Sequence, residues 1–560
     1  MRTVRATCGL AFALLVFAGI ASGDILYVPG EFGTIQEAVD AAQYGDEIEI
    51  AAGTYDDVTH YANVPDDSTL CVVVMKSGIT LRGAGADQTF IDADSTGRGI
   101  FALACQDIVI EDLAVTRGFA EVYGAGILAD SSNVVIRRVD ASGNYDGAIT
   151  LLHGAYAEIS QCTMTNNAAK TGSGLDVGLE CEAYVYQCEI SNNGAPFAAG
   201  ARLRGKVRLE ECVFEFNETD IGSNLEGGGL LIKGGAEVLL LNCDISNNIA
   251  SGNGGGIAIT DEGTYVELAY CTIRNNVNSG EEGYGGGVYV GNDASAELRW
   301  CLIAGNSTTG LFANGGGVAA DYSSLEMENC TLYANASEGM APYGGDGAQF
   351  GFWWLGDQHS IQISHCIMTD SPEGQSTVFC SGSPGLLEIT CCDVWNNAGG
   401  DEICDIVDES NFSADPLYCD AAGGNFFVQS MSPCAPGNHP GGPDMCGGTL
   451  IGAYRASCTT DVPDPGFTSH GLLLGNEPNP FQSGTAIRYQ LAGESKVTLE
   501  VFDLSGRRVA VLQDGVQSAG MHLAHWDGAL DSGEHAPAGV YFYQLRAGEN
   551  VQGKRMLRLR

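Results

Sequence analysis

Three groups of residues in this chain have the types and spacing for chemistry. In Arg202-x-Arg204-x-Lys206-x-Arg208, strand alternation puts all four cations on the outward side, because Val207 and Leu209 take inward positions. Such a stripe suits an anionic polymer, and an arginine beside an acidic sugar could act as a proton-abstracting base. Pairing with Glu180, Glu182 or Glu210 competes with that reading. The second group is Glu267, Glu297 and Glu326, which occupy one repeat position in successive copies. Stacked about 4.8 Å apart they would repel one another, and a divalent cation such as Ca²⁺ would relieve the repulsion. A solvated acidic face partly neutralised by Arg299 is the alternative. The third group is aromatic: Trp353 and Trp354 in the longest insertion, with Tyr284, Phe312 and Tyr343 between the asparagine and glycine positions of successive copies. Exposed indoles stack on sugar faces, whereas buried ones pack an insertion onto its scaffold.

The repeat that places these residues reads apolar-x-apolar-x-x-Cys-x-apolar-x-x-Asn. Its anchors are Leu113, Val139, Cys162, Cys188, Cys212, Cys243, Cys271, Cys301, Cys330, Cys366 and Cys392. A period of roughly 20 to 50 residues signals a solenoid. Apolar residues on either side of the anchor alternate like two short strands separated by a bend, and a third strand follows glycines such as Gly254-Gly255-Gly256 before Ile257. Asparagines at Asn144, Asn167, Asn193, Asn217, Asn248, Asn276, Asn306, Asn335 and Asn397 can take the left-handed conformation and bond from coil to coil. The fold expected is all-β: a right-handed parallel β-helix solenoid followed by a small C-terminal β-sandwich. The anchor cysteines should stack as buried thiols, since parallel stacking rarely meets disulfide geometry. His153 and His365 stand alone and read as structural.

Residues 1–23 have a basic start, an apolar run and small residues at the end, the pattern of a secretory signal. Export implies oxidation, so Cys391, Cys404, Cys419, Cys434, Cys446 and Cys458 are expected to form at least two disulfides holding the last coil. At the other end Thr34-Ile35-Gln36-Glu37 is a capping box for a short helix over Ile35–Ala42 that plugs the first coil. The repeat region closes near 458, residues 459–471 read as a Pro/Asp/Gly-rich linker, and 472–560 carry alternating strands around Ala486–Leu491, Lys496–Phe502 and Gly539–Leu545. The net charge of −44 falls on the part before this tail. So acidic a body repels nucleic acid, and its glycine clusters are corners rather than phosphate loops.

The segments Val28–Ala42, Gly45–Tyr55 and Gly78–Gly85, with the coils after them, resemble the pectin-lyase-like β-helix proteins, and the Gly/Asn-rich coils also resemble polymorphic outer-membrane adhesins. That superfamily holds lyases, hydrolases, epimerases and adhesins, so the resemblance implies fold and leaves activity open. Its enzymes pair calcium-binding acids with a basic residue, or use close carboxylate pairs. The motifs Asn-Thr-Asp, Asp-Asp with a later Gly-His-Gly, and Tyr-Gly-x-Asp-Pro-His do not occur in this sequence. The tail, through Pro478–Phe481, Val501–Arg507, Trp526–Gly528 and Gly539–Tyr543, resembles the type IX secretion sorting domain and the Ig-like domain of flagellar hook-cap proteins. The resemblance implies engagement of outer-membrane secretion machinery, then release or attachment at the cell surface. The expectation is therefore an exported protein that binds carbohydrate or another surface, with no catalysis asserted. A calcium-assisted polysaccharide lyase or related carbohydrate-active enzyme, and a structural surface protein, are the alternatives.

Overall fold

The computed structural model describes residues 23–458 apart from 61–69, 121–122, 171, 220–225, 282, 313, 340–346, 354–357, 373–375, 381–385, 405–407 and 457. It also describes 472–558 apart from 478–484, 492–494, 503–506, 518–519, 531–535, 538 and 548–549. The signal-like residues 1–22, the linker 459–471, Tyr343 and Trp354 thus lie outside the described residues. One compact unit spans Ala21–Cys458, and Thr459–Arg560 belong to a second.

In the first unit each copy of the repeat becomes one coil. The coil anchored by Cys271 has strands Tyr265–Ala269 and Thr272–Arg274, a two-residue pairing at Val277–Asn278, and, past the glycines, a strand at Val288–Gly291. Strands of the first two kinds make up a 25-stranded sheet, and those of the last kind a 13-stranded one. Pairing from coil to coil is parallel and in register, as in Val266↔Ala296 and Ile273↔Ile303. The bend before each anchor uses a left-handed residue, for example Gln187, Tyr270 or Trp300. Strand-distorting turns of that kind let one chain carry two strands round a corner without a loop.

The bore is packed with the inward residues of all three strands, including every anchor cysteine from Cys162 to Cys392 as a free, buried thiol. Each thiol in the column bonds a carbonyl two residues earlier, as Cys271 Sγ does to Ala269 O at 3.5 Å. Beside them runs the asparagine ladder. Each amide nitrogen from Asn144 to Asn306 donates to the Oδ1 of the next coil's asparagine, at 3.0 Å for Asn276 to Asn306, and also to a backbone carbonyl. One expectation needs correcting. The ladder residue does not take the left-handed conformation; its predecessor does, as in Asn192, Asn247 and Asn275. In the repeated Asn-Asn pairs the first residue turns the chain and the second bonds within it. Where Ser371 stands in place of an asparagine, Gln349 bridges the gap, accepting from Asn335 at 2.7 Å and reaching Asn397 at 3.4 Å.

Both ends are closed. The helix Ile35–Ala41 has the expected capping box and buries Ile35, Ala38 and Val39. At the other end the disulfides Cys380–Cys404, Cys391–Cys446 and Cys419–Cys458 tie down the last coils. Cys380 therefore joins the expected set, and Cys434 leaves it as a buried thiol 3.1 Å from Asp393 Oδ2. In the second unit, antiparallel sheets of three and four strands bury Tyr489, Val497, Leu499, Trp526 and Tyr543 between them.

Candidate functional site

The run from Arg202 to Arg208 does not form one stripe. Ala201–Leu203 is a third strand and Lys206–Glu210 the first strand of the next coil. Gly205 lies at the corner, where a Cβ would come within 2.1 Å of the Cys181 carbonyl oxygen. Alternation cannot be carried through such a turn, so the four cations separate into two pairs. Lys206 and Arg208 stay half-exposed, 3.9 Å from Glu237 and 3.1 Å from Glu210 respectively. Arg202, expected to face solvent, is only 9% exposed.

Arg202 belongs to the outward row of the third sheet, which runs Phe101, Leu128, Thr150, Asp176, Arg202, Leu231. These residues face away from the bore yet are buried. In the middle of this row Arg202 makes a two-pronged ion pair with Asp176, with Nε donating to Oδ1 at 2.9 Å. Burial alone would lower the guanidinium's proton affinity; Asp176 outweighs it and raises the pKa. Arg204 approaches the same carboxylate at 3.8 Å, and its Nε is buried without a partner among the described residues. The Tyr123 ring lies 5.9 Å from the Arg202 guanidinium carbon. Asp146 is also buried: Oδ1 accepts from the Lys170 backbone, whereas Oδ2 has no partner among the described residues.

The loops bordering this row carry exposed aromatics. Phe119 and Tyr145 stack at 5.5 Å between ring centroids, and Tyr145 is 54% exposed. Tyr123 and Phe197 are exposed as well. Backbone bonds join the loops: Ala120 N–H to Tyr145 O, Gly124 N–H to Asp146 O and Gly172 N–H to Phe197 O. Aromatic faces left in water beside a partly satisfied arginine and carboxylate are what a sugar-binding surface requires: flat apolar area for C–H faces, with polar groups to orient hydroxyls. Of the residues at this edge, the sequence singled out Arg202 and Arg204 and did not single out Asp176, Phe119, Tyr123, Tyr145 and Phe197. The repeat held the signal, because Phe119 and Tyr145 occupy one frame position, following Gly118 and Asn144.

The other two candidate groups are built differently. Glu267, Glu297 and Glu326 do stack in register. Arg299 lies among them, 2.7 Å from Glu297, 3.1 Å from Glu326 and 3.6 Å from Glu267, and reaches Glu328 at 3.5 Å. A guanidinium thus holds the centre of the column, which is the neutralisation by Arg299 that the sequence offered as the alternative to a divalent cation. Trp353 is not at a loop tip. It ends the third strand Phe350–Trp353, is 7% exposed, and packs on Tyr284 and Phe379 with ring centroids 5.0 and 5.3 Å away. Its indole fills the space over Gly351. His153 pairs with Asp130 at 2.9 Å.

Residues 475–550 match the FlgD Ig-like domain. Among curated proteins, none matches this sequence. Solved structures similar to it include an alginate lyase from Paenibacillus sp. str. FPU-7, 19% identical, covering 47% of this chain and 90% of that one, TM-score 0.34. The pectate lyase Pel9A is 11% identical, covering 78% and 98%, TM-score 0.28. The tailspike protein gp49 from Acinetobacter baumannii bacteriophage Fri1, a capsular polysaccharide depolymerase, is 10% identical, covering 96% and 78%, TM-score 0.27. The right handed beta helix region matches over residues 77–221 and 228–413, most of the solenoid, and the chain belongs to that family.

Proposed function

We propose that this is an exported β-helix protein that binds a polysaccharide along the loop edge of its third sheet. The observation carrying the reading is the exposed Phe119–Tyr145 stack, joined by backbone bonds to the loops that border the buried Asp176–Arg202 pair. The incompletely paired Arg204, with Lys206 and Arg208 half-exposed beyond the Gly205 corner, favours an acidic saccharide over a neutral one. Binding, not turnover, is the reading. A calcium-assisted lyase would add catalysis at the same edge, and a structural surface protein would bind nothing there.

The test is a panel of acidic and neutral polysaccharides in affinity electrophoresis, with and without Ca²⁺, while ultraviolet absorbance follows unsaturated products. The expected outcome is retention on an acidic polymer without absorbance. The double substitution Phe119→Ala/Tyr145→Ala should weaken it at least ten-fold, about 1.4 kcal/mol, and Arg204→Gln should weaken acidic polymers only. Retention unchanged in both variants would sink the site, and absorbance growing with time would replace binding by the lyase reading.

Export itself is supported by the signal-like start and by three disulfides. No helix among the described residues is long and apolar enough to cross a membrane. The tail is proposed to act as a type IX sorting domain that engages outer-membrane secretion machinery. Deleting residues 472–560 should then trap the protein inside the outer membrane of an organism that has that pathway; normal surface delivery of the truncated chain would refute it.

A further inference from the structure

The last coils hold a second constellation, separate from the saccharide edge. One imidazole nitrogen of His365 and the sulfurs of Cys391 and Cys446 lie within 4.8 Å of one another. The two cysteines are joined as a disulfide between the last coil and the turn at Met445–Gly448. His365 Nε2 lies 3.3 Å from the Cys446 carbonyl oxygen. A carbonyl can only accept, so Nε2 carries the proton and Nδ1 keeps the lone pair. Nδ1 is buried and has no partner among the described residues. A histidine whose N–H is held by a carbonyl while its other nitrogen stays free is set up as metal-ligating histidines are. An unpaired buried nitrogen is otherwise a cost.

We propose that the Cys391–Cys446 disulfide with His365 is a reduction-gated site for a thiophilic divalent cation such as Zn²⁺. In the oxidised protein the sulfurs are bonded to each other and offer no thiolate. An external dithiol supplies two electrons and two protons: the S–S bond breaks, two thiols form, and the dithiol closes to its own disulfide. Zn²⁺ then displaces both thiol protons and takes two thiolates and the His365 nitrogen, with water completing a tetrahedron. Cys446 is half-exposed, so a reductant can reach the pair from that side. The cation would restore the tether between coil and cap that reduction removes.

The experiment uses the full chain treated with a phosphine reductant and titrated with Co²⁺, whose thiolate charge-transfer and d–d bands report sulfur ligation. The oxidised protein is the control, because the buried column of thiols is present in both forms. A background with Cys380, Cys404, Cys419 and Cys458 changed to serine removes the other thiols that reduction frees. One Co²⁺ per chain should bind after reduction, be displaced by Zn²⁺, and bind at least ten-fold more weakly in His365→Ala. Reduced protein without sulfur bands overturns the proposal. So does equal affinity in His365→Ala, provided circular dichroism shows the β-helix intact; if that variant unfolds, His365→Gln is titrated in its place and the same comparison decides.

Discussion

Two ion clusters on the same sheet are built as opposites. Near the start of the solenoid Glu111, fully buried, is held by three guanidiniums: Arg82 at 2.7 Å, Arg138 at 2.8 Å, and Arg137. Farther along, Arg299 is held by the four carboxylates Glu267, Glu297, Glu326 and Glu328. Coil stacking makes both possible, since register brings Arg82, Glu111 and Arg137 into one row as it does the glutamates. The difference lies in what is scarce. On a chain with 26 basic and 70 acidic residues, the Glu111 cluster matches its three arginines with three carboxylates, because Arg82 also pairs with Glu47 and Arg138 with Asp112, whereas the Arg299 cluster leaves three acids for every one neutralised. The first is closed to ligands. The second is held together by a single side chain.

Breaking the closed cluster should have the largest effect. Burial pushes the Glu111 carboxyl up, but its bonds to Arg137 and Arg82 outweigh that and hold it down to about 2. Glu111→Gln keeps the shape and removes the charge, turning an amide N–H₂ toward guanidiniums that only donate. Breaking a buried pair costs several kcal/mol. The arginines keep part of their hydration, so about 2–3 kcal/mol is expected in chemical denaturation of the solenoid. Because the folded pKa is depressed, wild-type stability from this group is present above the ordinary glutamate range and is lost as pH falls toward 2. The Gln variant should lack that acid-side slope; an unchanged slope would show that Glu111 is not its source.

A buried carboxyl without any guanidinium sharpens the contrast, because its sign is reversed. Asp393 accepts from the Ala414 N–H at 3.0 Å and from the Cys434 thiol, and burial raises its pKa to about 7. A raised pKa favours the fold while the group is protonated. Stability from Asp393 is therefore full below about pH 4 and lost as pH rises through 7. Stability should fall across that window, and Asp393→Asn should flatten the fall. The check is unfolding of the solenoid followed between about pH 4 and 8, where an equal slope in the variant would rule Asp393 out.

How much of this was readable in the sequence depends on whether a residue sits in the repeat frame. The anchors, the ladder and the stacking of Glu267, Glu297 and Glu326 were readable because the frame fixes which residues share a row. The Arg202 stripe failed because alternation was carried across Gly205, where the chain changes sheets. Trp353 was misplaced because its coil has Gly347-Ala348-Gln349 where others have three glycines, so its third strand gave no signal. The pairing of Cys380 with Cys404, and the sparing of Cys434, follow from how the irregular cap folds back, which no period encodes.

The Arg299 cluster yields the two smaller effects, and they separate tether from site. Arg299→Met leaves four carboxylates facing one another and should cost about 1–2 kcal/mol, less than the buried case because all the partners are part-exposed. Millimolar Ca²⁺ should then restore most of the lost thermal stability in the variant while changing wild type little, since the guanidinium already fills the position. If Ca²⁺ leaves the variant's melting unchanged, the column is not a latent cation site. Glu328→Gln should do least, about 0.3 kcal/mol. Glu328, 3.5 Å away, stands outside the Glu267–Glu297–Glu326 row, and three acids remain around Arg299 without it. A cost as large as that of Arg299→Met would mean the cluster acts as one cooperative unit, and the contrast with Glu111 would then be one of sign alone.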